Sequence, residues 1–202
     1  MSHGCLEQRN YSSNQVLILK ELERTLLDLD DMQVSGAVAM LLAAKRIFTT
    51  GAGRSGLALQ MAAMRLMHLG LTVHVAGEVT TPAIGCGDVL LVASGSGTTA
   101  GAVHAAEVAR QAGASVLLIT TTSTLRLNEL AQISIVVPAP TKQDHGRTKS
   151  EQYAGALFEQ CVLLLMDAMF QVMWRERGRV VEASCKSGIR SMQPRHSFLS
   201  LD

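Results

Sequence analysis

Six consecutive residues, Ser94-Gly95-Ser96-Gly97-Thr98-Thr99, comprise four hydroxyl residues and two glycines. They follow the apolar run Val89–Ala93 and precede a helical pattern from Ala100 to Gln111. That order describes a buried strand, a tight loop and a helix N-terminus. Gly95 and Gly97 let the backbone turn and approach a ligand closely. The free N–H groups of the following helical turn favour an anion. The spacing is neither Gly-x-Gly-x-x-Gly nor a Gly-Lys-Thr loop, so it signals neither a dinucleotide nor a nucleoside triphosphate. A second turn, Gly51-Ala52-Gly53-Arg54-Ser55-Gly56, and a third hydroxyl cluster, Thr120-Thr121-Thr122-Ser123, follow other candidate strands. In a parallel sheet all three turns open on the carboxyl edge of the strands, where ligands bind. Together they favour a ligand bearing phosphate, with Arg54 adding charge at the mouth.

Phosphate binding leaves the reaction open. The sequence has no Gly-x-Ser-x-Gly elbow and no His-Glu-x-x-His helix. The acid/base candidates are His68, His74, Glu78, His104, His145, Glu159 and His196. Glu159 stands in an otherwise apolar helix, beside Phe158, where a buried carboxylate needs a partner. His196 stands in a polar tail.

The elements that position these residues alternate. A leading helix, about 14–30, shows leucines at helical spacing, and a short second helix runs from Val34 to Ala44. Strands are expected at Arg46–Thr50, Leu71–Val75, Val89–Ala93, Ser115–Ile119 and Ile133–Val137. Helices at Leu57–Leu69 and Ala100–Gln111 end at Gly70 and Gly113. A polar loop spans Pro138 to Lys149, an apolar helix runs from about Gln152 to Arg177, and a polar tail covers 178–202. Short apolar strands alternating with helices predict an α/β fold with a parallel sheet covered on both faces. No linker divides the 202 residues, which read as a single domain.

Composition narrows the function. The formal net charge is +1, which gives no general argument for nucleic acid or an anionic membrane. The most apolar helical stretch, Cys161 to Met169, is too short to span a bilayer and contains Asp167. Cys5, Cys86, Cys161 and Cys185 lack metal-ligand spacing and suit a reducing cytoplasm.

Several runs together resemble one family. Gly53-Arg54-Ser55-Gly56, Met64-Arg65-Leu66-Met67-His68-Leu69-Gly70 and Gly77-Glu78-Val79-Thr80-Thr81-Pro82 are similar to the 6-phospho-3-hexuloisomerases of the sugar isomerase (SIS) domain superfamily. Ser94 to Thr99, Ser150-Glu151-Gln152, Gly155, Leu157-Phe158-Glu159-Gln160 and Arg195-His196 continue the resemblance over roughly residues 15–200. It implies a five-stranded parallel sheet flanked by helices, a three-layer sandwich of SIS type. It implies interconversion of D-arabino-hex-3-ulose 6-phosphate and D-fructose 6-phosphate, following formaldehyde fixation onto ribulose 5-phosphate. It implies Glu159 and His196 as catalytic residues, the histidine coming from a neighbouring subunit of a homotetramer. It implies no metal and no organic cofactor. Gly53, Arg54, Ser55, Ser94, Gly95, Ser96, Gly97, Thr98 and Thr99 are the expected substrate- and phosphate-binding residues. Two other readings fit the residues: another isomerase of the superfamily, acting on an aldose phosphate, and a non-catalytic sugar-phosphate-binding module.

Overall fold

Adjacent strands β1 (Ile47–Gly51) and β3 (Val89–Ala93) lie inside one parallel sheet; β1 runs almost directly into a helix, and β3 reaches one through the six-residue loop 94–99. The computed structural model describes residues 11–123, 126–142 and 150–186. The sheet has the order β2-β1-β3-β4-β5, with β2 at Val73–Val75, β4 at Ser115–Thr120 and β5 at Ile133–Val136. All four pairings are parallel. Alternate strand residues face opposite layers, because the side-chain period of a strand is two. Ile47, Leu91, Ala93, Leu117, Ile119 and Ile135 face one core. Phe48, Leu90, Val92, Val116 and Leu118 face the other.

The first core is closed by α1 (Tyr11–Leu27), α2 (Asp31–Ala43), α3 (Gly53–His68) and α6 (Ala156–Lys186). The second is closed mainly by α4 (Ala100–Gln111) and α5 (Arg126–Leu130). Ala102, Ala106 and Ala109 are the buried face of α4, and their small side chains let it lie close to the sheet. Leu59, Leu66, Leu117 and Leu157 are among the fully buried leucines, each contributing about 1.5–3 kcal/mol through burial. The architecture is the expected three-layer α/β sandwich.

Several boundaries differ from the sequence reading. The expected turn at Gly51–Gly56 is shorter, because Gly53, Arg54, Ser55 and Gly56 already form the first turn of α3. The reason is local: a Cβ on Gly56 would collide with the carbonyl oxygen of Gly51, so the bare residue lets helix and strand meet with almost no loop. The second strand is three residues long rather than five. The last helix does not stop at Arg177; it continues through Lys186, so the polar tail begins later than 178. Polarity misled there, since Arg175, Glu176, Arg177 and Gly178 interrupt the apolar run in the sequence. Over Ala156–Arg177 this helix is long and apolar enough to cross a membrane, yet half of that stretch is buried inside the protein. Leu157, Cys161, Val162, Leu165, Met166, Met169 and Met173 give the helix its apolar composition by facing the core.

Candidate active site

The residues aligned at the ends of β1 and β3 are Gly51 and Ala93, register partners in the sheet. The helices that follow therefore start at the same edge of the sheet, on its two opposite faces. Ala52 caps α3 and Thr99 caps α4, and neither makes a side-chain cap hydrogen bond. By contrast Asp30 caps α2, accepting from the N–H groups of Met32 and Gln33. Both N-termini thus lie at the carboxyl edge with no cap side chain bonded to their first-turn N–H groups. Their positive ends favour an anion at this edge.

A cavity of about 190 Å³ opens at this point, lined by Ser55, Ser94, Gly95, Ser96, Thr99 and, from the opposite side, Lys142 and Phe158. Ser94 Oγ and Thr99 Oγ1 lie 3.2 Å apart and share a hydrogen bond. Thr98 supports the loop instead of the wall: its hydroxyl and its N–H donate to Ser96 Oγ at 3.3 and 3.4 Å. Gly97 adopts φ +62°, which closes the loop onto the carbonyl of Ser94 at 3.1 Å. The third hydroxyl cluster holds this loop from behind. Thr121 Oγ1 donates to the Gly95 carbonyl at 2.7 Å, and none of Thr120–Ser123 lines the cavity.

Glu159 sits beside this cavity with its side chain only 5% exposed. Arg54 Nε lies 3.2 Å from one carboxylate oxygen and Lys142 Nζ lies 3.1 Å from the other. The two cations point to different spaces. Arg54 and Glu159 line a neighbouring groove with Leu57, Met61, Gln160 and Leu163, while Lys142 lines the hydroxyl-walled cavity. Of the remaining acid/base candidates, His68 and His104 are exposed and His74 stacks on Phe48 with ring centroids 5.2 Å apart. Glu78 borders a separate cavity with Phe48, Thr81 and Val108. His145 and His196 lie outside the described residues. Among the described residues, no three His, Cys, Asp or Glu side chains gather as metal ligands would.

Lys142 was not among the residues singled out from the sequence, because it falls in the polar stretch after the last strand. Its signal was positional: it follows β5 at the same sheet edge as the other turns. Glu21 is a second such residue. It is buried on α1, and accepts from Ser150 Oγ at 2.6 Å, from Glu151 N–H at 2.8 Å and from Gln152 Nε2 at 2.9 Å. Burial pushes its pKa up, but these hydrogen bonds prevail and hold its carboxyl below the usual value. The turn it grips leads through Gly155 into α6, whose first turn carries Phe158 and Glu159. At the opposite, amino end of the strands, burial is likewise outweighed at Asp88, which pairs with Arg46 at 2.5 Å and has a lowered pKa.

The model of the SIS domain family matches residues 40–164, from the end of α2 into the first third of α6. The chain belongs to the SIS domain family. This SIS chain is 50% identical over 163 residues to a 3-hexulose-6-phosphate isomerase of Mycobacterium gastri, covering 81% of this chain and 82% of that one. A Methanococcus jannaschii protein, for which a 3-hexulose-6-phosphate isomerase function has been inferred from its crystal structure, superposes with a TM-score of 0.71 at 24% identity, covering 82% of this chain and 92% of its own. The Vibrio vulnificus NanR protein, solved with ManNAc-6P bound, superposes with a TM-score of 0.70 at 20% identity over 88% of this chain and 66% of that one. The SIS match spans both helix N-termini, the hydroxyl loop, Lys142 and Glu159.

Proposed function

We propose that this SIS domain protein is a 3-hexulose-6-phosphate isomerase, interconverting D-arabino-hex-3-ulose 6-phosphate and D-fructose 6-phosphate in ribulose monophosphate formaldehyde fixation. The observation that carries this is the 50% identity to the Mycobacterium gastri isomerase over 81% of this chain. The geometry supports it. Two uncapped helix N-termini and the hydroxyls of Ser55, Ser94, Ser96 and Thr99 suit the phosphate. A remote phosphate held there positions the reacting carbons, and its binding energy lowers the barrier at the other end of the sugar.

The reaction moves a ketone from C3 to C2. A base takes the proton from C2, an enediol forms, and a proton returns to C3. Glu159 is the base in this reading, and His196 moves protons between the two oxygens. A buried carboxylate clamped by two cations is held in a fixed orientation beside the cavity. The protein acts as a homotetramer, in the cytoplasm, with His196 crossing from a neighbouring subunit. The exposed stripe Leu57, Met61 and Met64 on α3 supports association, because these side chains are half or more accessible in the single chain. Purified protein given hex-3-ulose 6-phosphate is expected to form fructose 6-phosphate; arabinose 5-phosphate should be left unchanged. Conversion of the aldose phosphate alone would overturn this reading.

A further inference from the structure

The enediolate that any such isomerisation passes through puts a full negative charge on a substrate oxygen. As Glu159 takes the proton its negative charge passes to that oxygen, so a cation already paired with Glu159 can follow the charge and stabilise it there. Two cations touch Glu159, and they are not equivalent. Arg54 faces the groove lined by Leu57 and Met61. Lys142 alone of the two lines the hydroxyl-walled cavity. Its stem is laid in place by bare backbone. A Cβ on Gly155, at φ +73°, would stand 2.9 Å from Lys142 Cγ, and one on Gly53 would stand 3.4 Å from Lys142 Nζ. The ammonium therefore rests over the first residue of α3, 3.1 Å from Glu159 Oε1, between the phosphate cradle and the base. Its side chain is 60% exposed, so it can swing without disturbing the core.

We propose that Lys142 is a catalytic residue that leaves Glu159 to hold the enediolate oxygen. This rests on the isomerase reading above. The steps balance without any oxidant. Glu159 takes the C2 proton, the C2–H electron pair becomes the C2=C3 double bond, and the C3 carbonyl pair moves onto O3, where Lys142 meets it. O3 then gains a proton, O2 loses one, C2=O forms, and C3 takes a proton from Glu159, whose carboxyl proton exchanges with water while the enediol lasts. Lys142 keeps its own proton throughout and acts by charge.

Lys142→Met retains the length of the stem and removes the charge. Its kcat should fall roughly 10²–10³-fold, with KM for hex-3-ulose 6-phosphate changed far less. Lys142→Arg should recover part of the loss, and added ethylammonium should raise the activity of Lys142→Ala in proportion to its concentration. A second readout needs no turnover: calorimetric binding of a sugar-acid phosphate hydroxamate, whose ionised N–O group mimics the enediolate. Lys142→Met should weaken that binding at least about tenfold and leave fructose 6-phosphate binding nearly unchanged. Wild-type kcat in Lys142→Met, or a loss confined to KM, would overturn the proposal, as would equal weakening of both ligands. A wild-type protein that cannot isomerise hex-3-ulose 6-phosphate yet shows the hydroxamate difference would overturn the assigned substrate and leave the role of Lys142 standing.

Discussion

In the proposed reaction Glu159 is the residue on which the chemistry turns. Two cations hold its oxygens at 3.2 and 3.1 Å, so its orientation is set before substrate arrives. Glu159→Gln keeps the shape and removes the proton acceptor. Turnover should fall roughly 10²–10⁴-fold with modest change in substrate binding, read from steady-state kinetics and calorimetry side by side. Ser96→Ala should do the reverse. Its hydroxyl stands on the cavity wall and is braced by Thr98, so KM should rise while the melting temperature stays within a degree or two of wild type. Glu159 was legible in the sequence because a carboxylate in an apolar run demands a partner. The partners were legible only in part. Arg54 stood in a glycine-rich turn, but nothing in Lys142 and its polar neighbours tied it to a glutamate seventeen positions on. That pairing depends on how β5 and α6 close the sheet edge, which is tertiary information.

At the scale of elements, the site is the product of two strand-to-helix joints placed in register. The joint after β1 has almost no loop, and Gly56 makes it possible. Gly56→Ala should destabilise by about 1–3 kcal/mol or more, because the obstructing atom is backbone and cannot rotate away; chemical denaturation measures it. The same compression explains why the sequence placed the start of α3 four residues late: glycines read as a turn, though here they serve close packing. The five strands and the longer helices were legible from apolar runs punctuated by glycines, since parallel strands buried on both faces leave that pattern; the five-residue α5 was missed, because it is too short to show a helical period. The end of α6 was not legible, because the run Arg175-Glu176-Arg177-Gly178 interrupts the apolar pattern before the helix ends at Lys186.

Glu21 makes a further prediction at this scale. Its folded pKa lies below the unfolded value, so the carboxylate stabilises the fold fully above the ordinary carboxylate range. That contribution is lost as pH falls through the lowered folded value. Glu21→Gln should therefore lower the melting temperature near neutral pH and flatten its decline on acidification. Equal acid sensitivity in the mutant and wild type would contradict the role given to this carboxylate in anchoring Ser150 to Gln152. The thiols give a check on burial. Cys161 is fully buried and its pKa is pushed up to about 12, whereas Cys86 is exposed. Alkylation of the native protein at neutral pH, mapped by mass spectrometry, should mark Cys86 and spare Cys161.

On the scale of the whole molecule, the account requires more than one chain. If His196 crosses between subunits, Glu159→Gln and His196→Ala proteins mixed and allowed to exchange should regain activity that neither has alone. Hybrids verified by native mass spectrometry and still inactive would contradict the shared site. The central claim, a proton moved between C2 and C3 of a phosphorylated hexulose by Glu159, is tested most directly by proton NMR of fructose 6-phosphate incubated with the protein in D₂O. The account predicts that hexulose 6-phosphate appears, that deuterium enters at C3 and not at C1, and that Glu159→Gln abolishes both. Deuterium entering at C1 with C3 unlabelled, or full exchange at C3 by the Glu159→Gln protein, would contradict it.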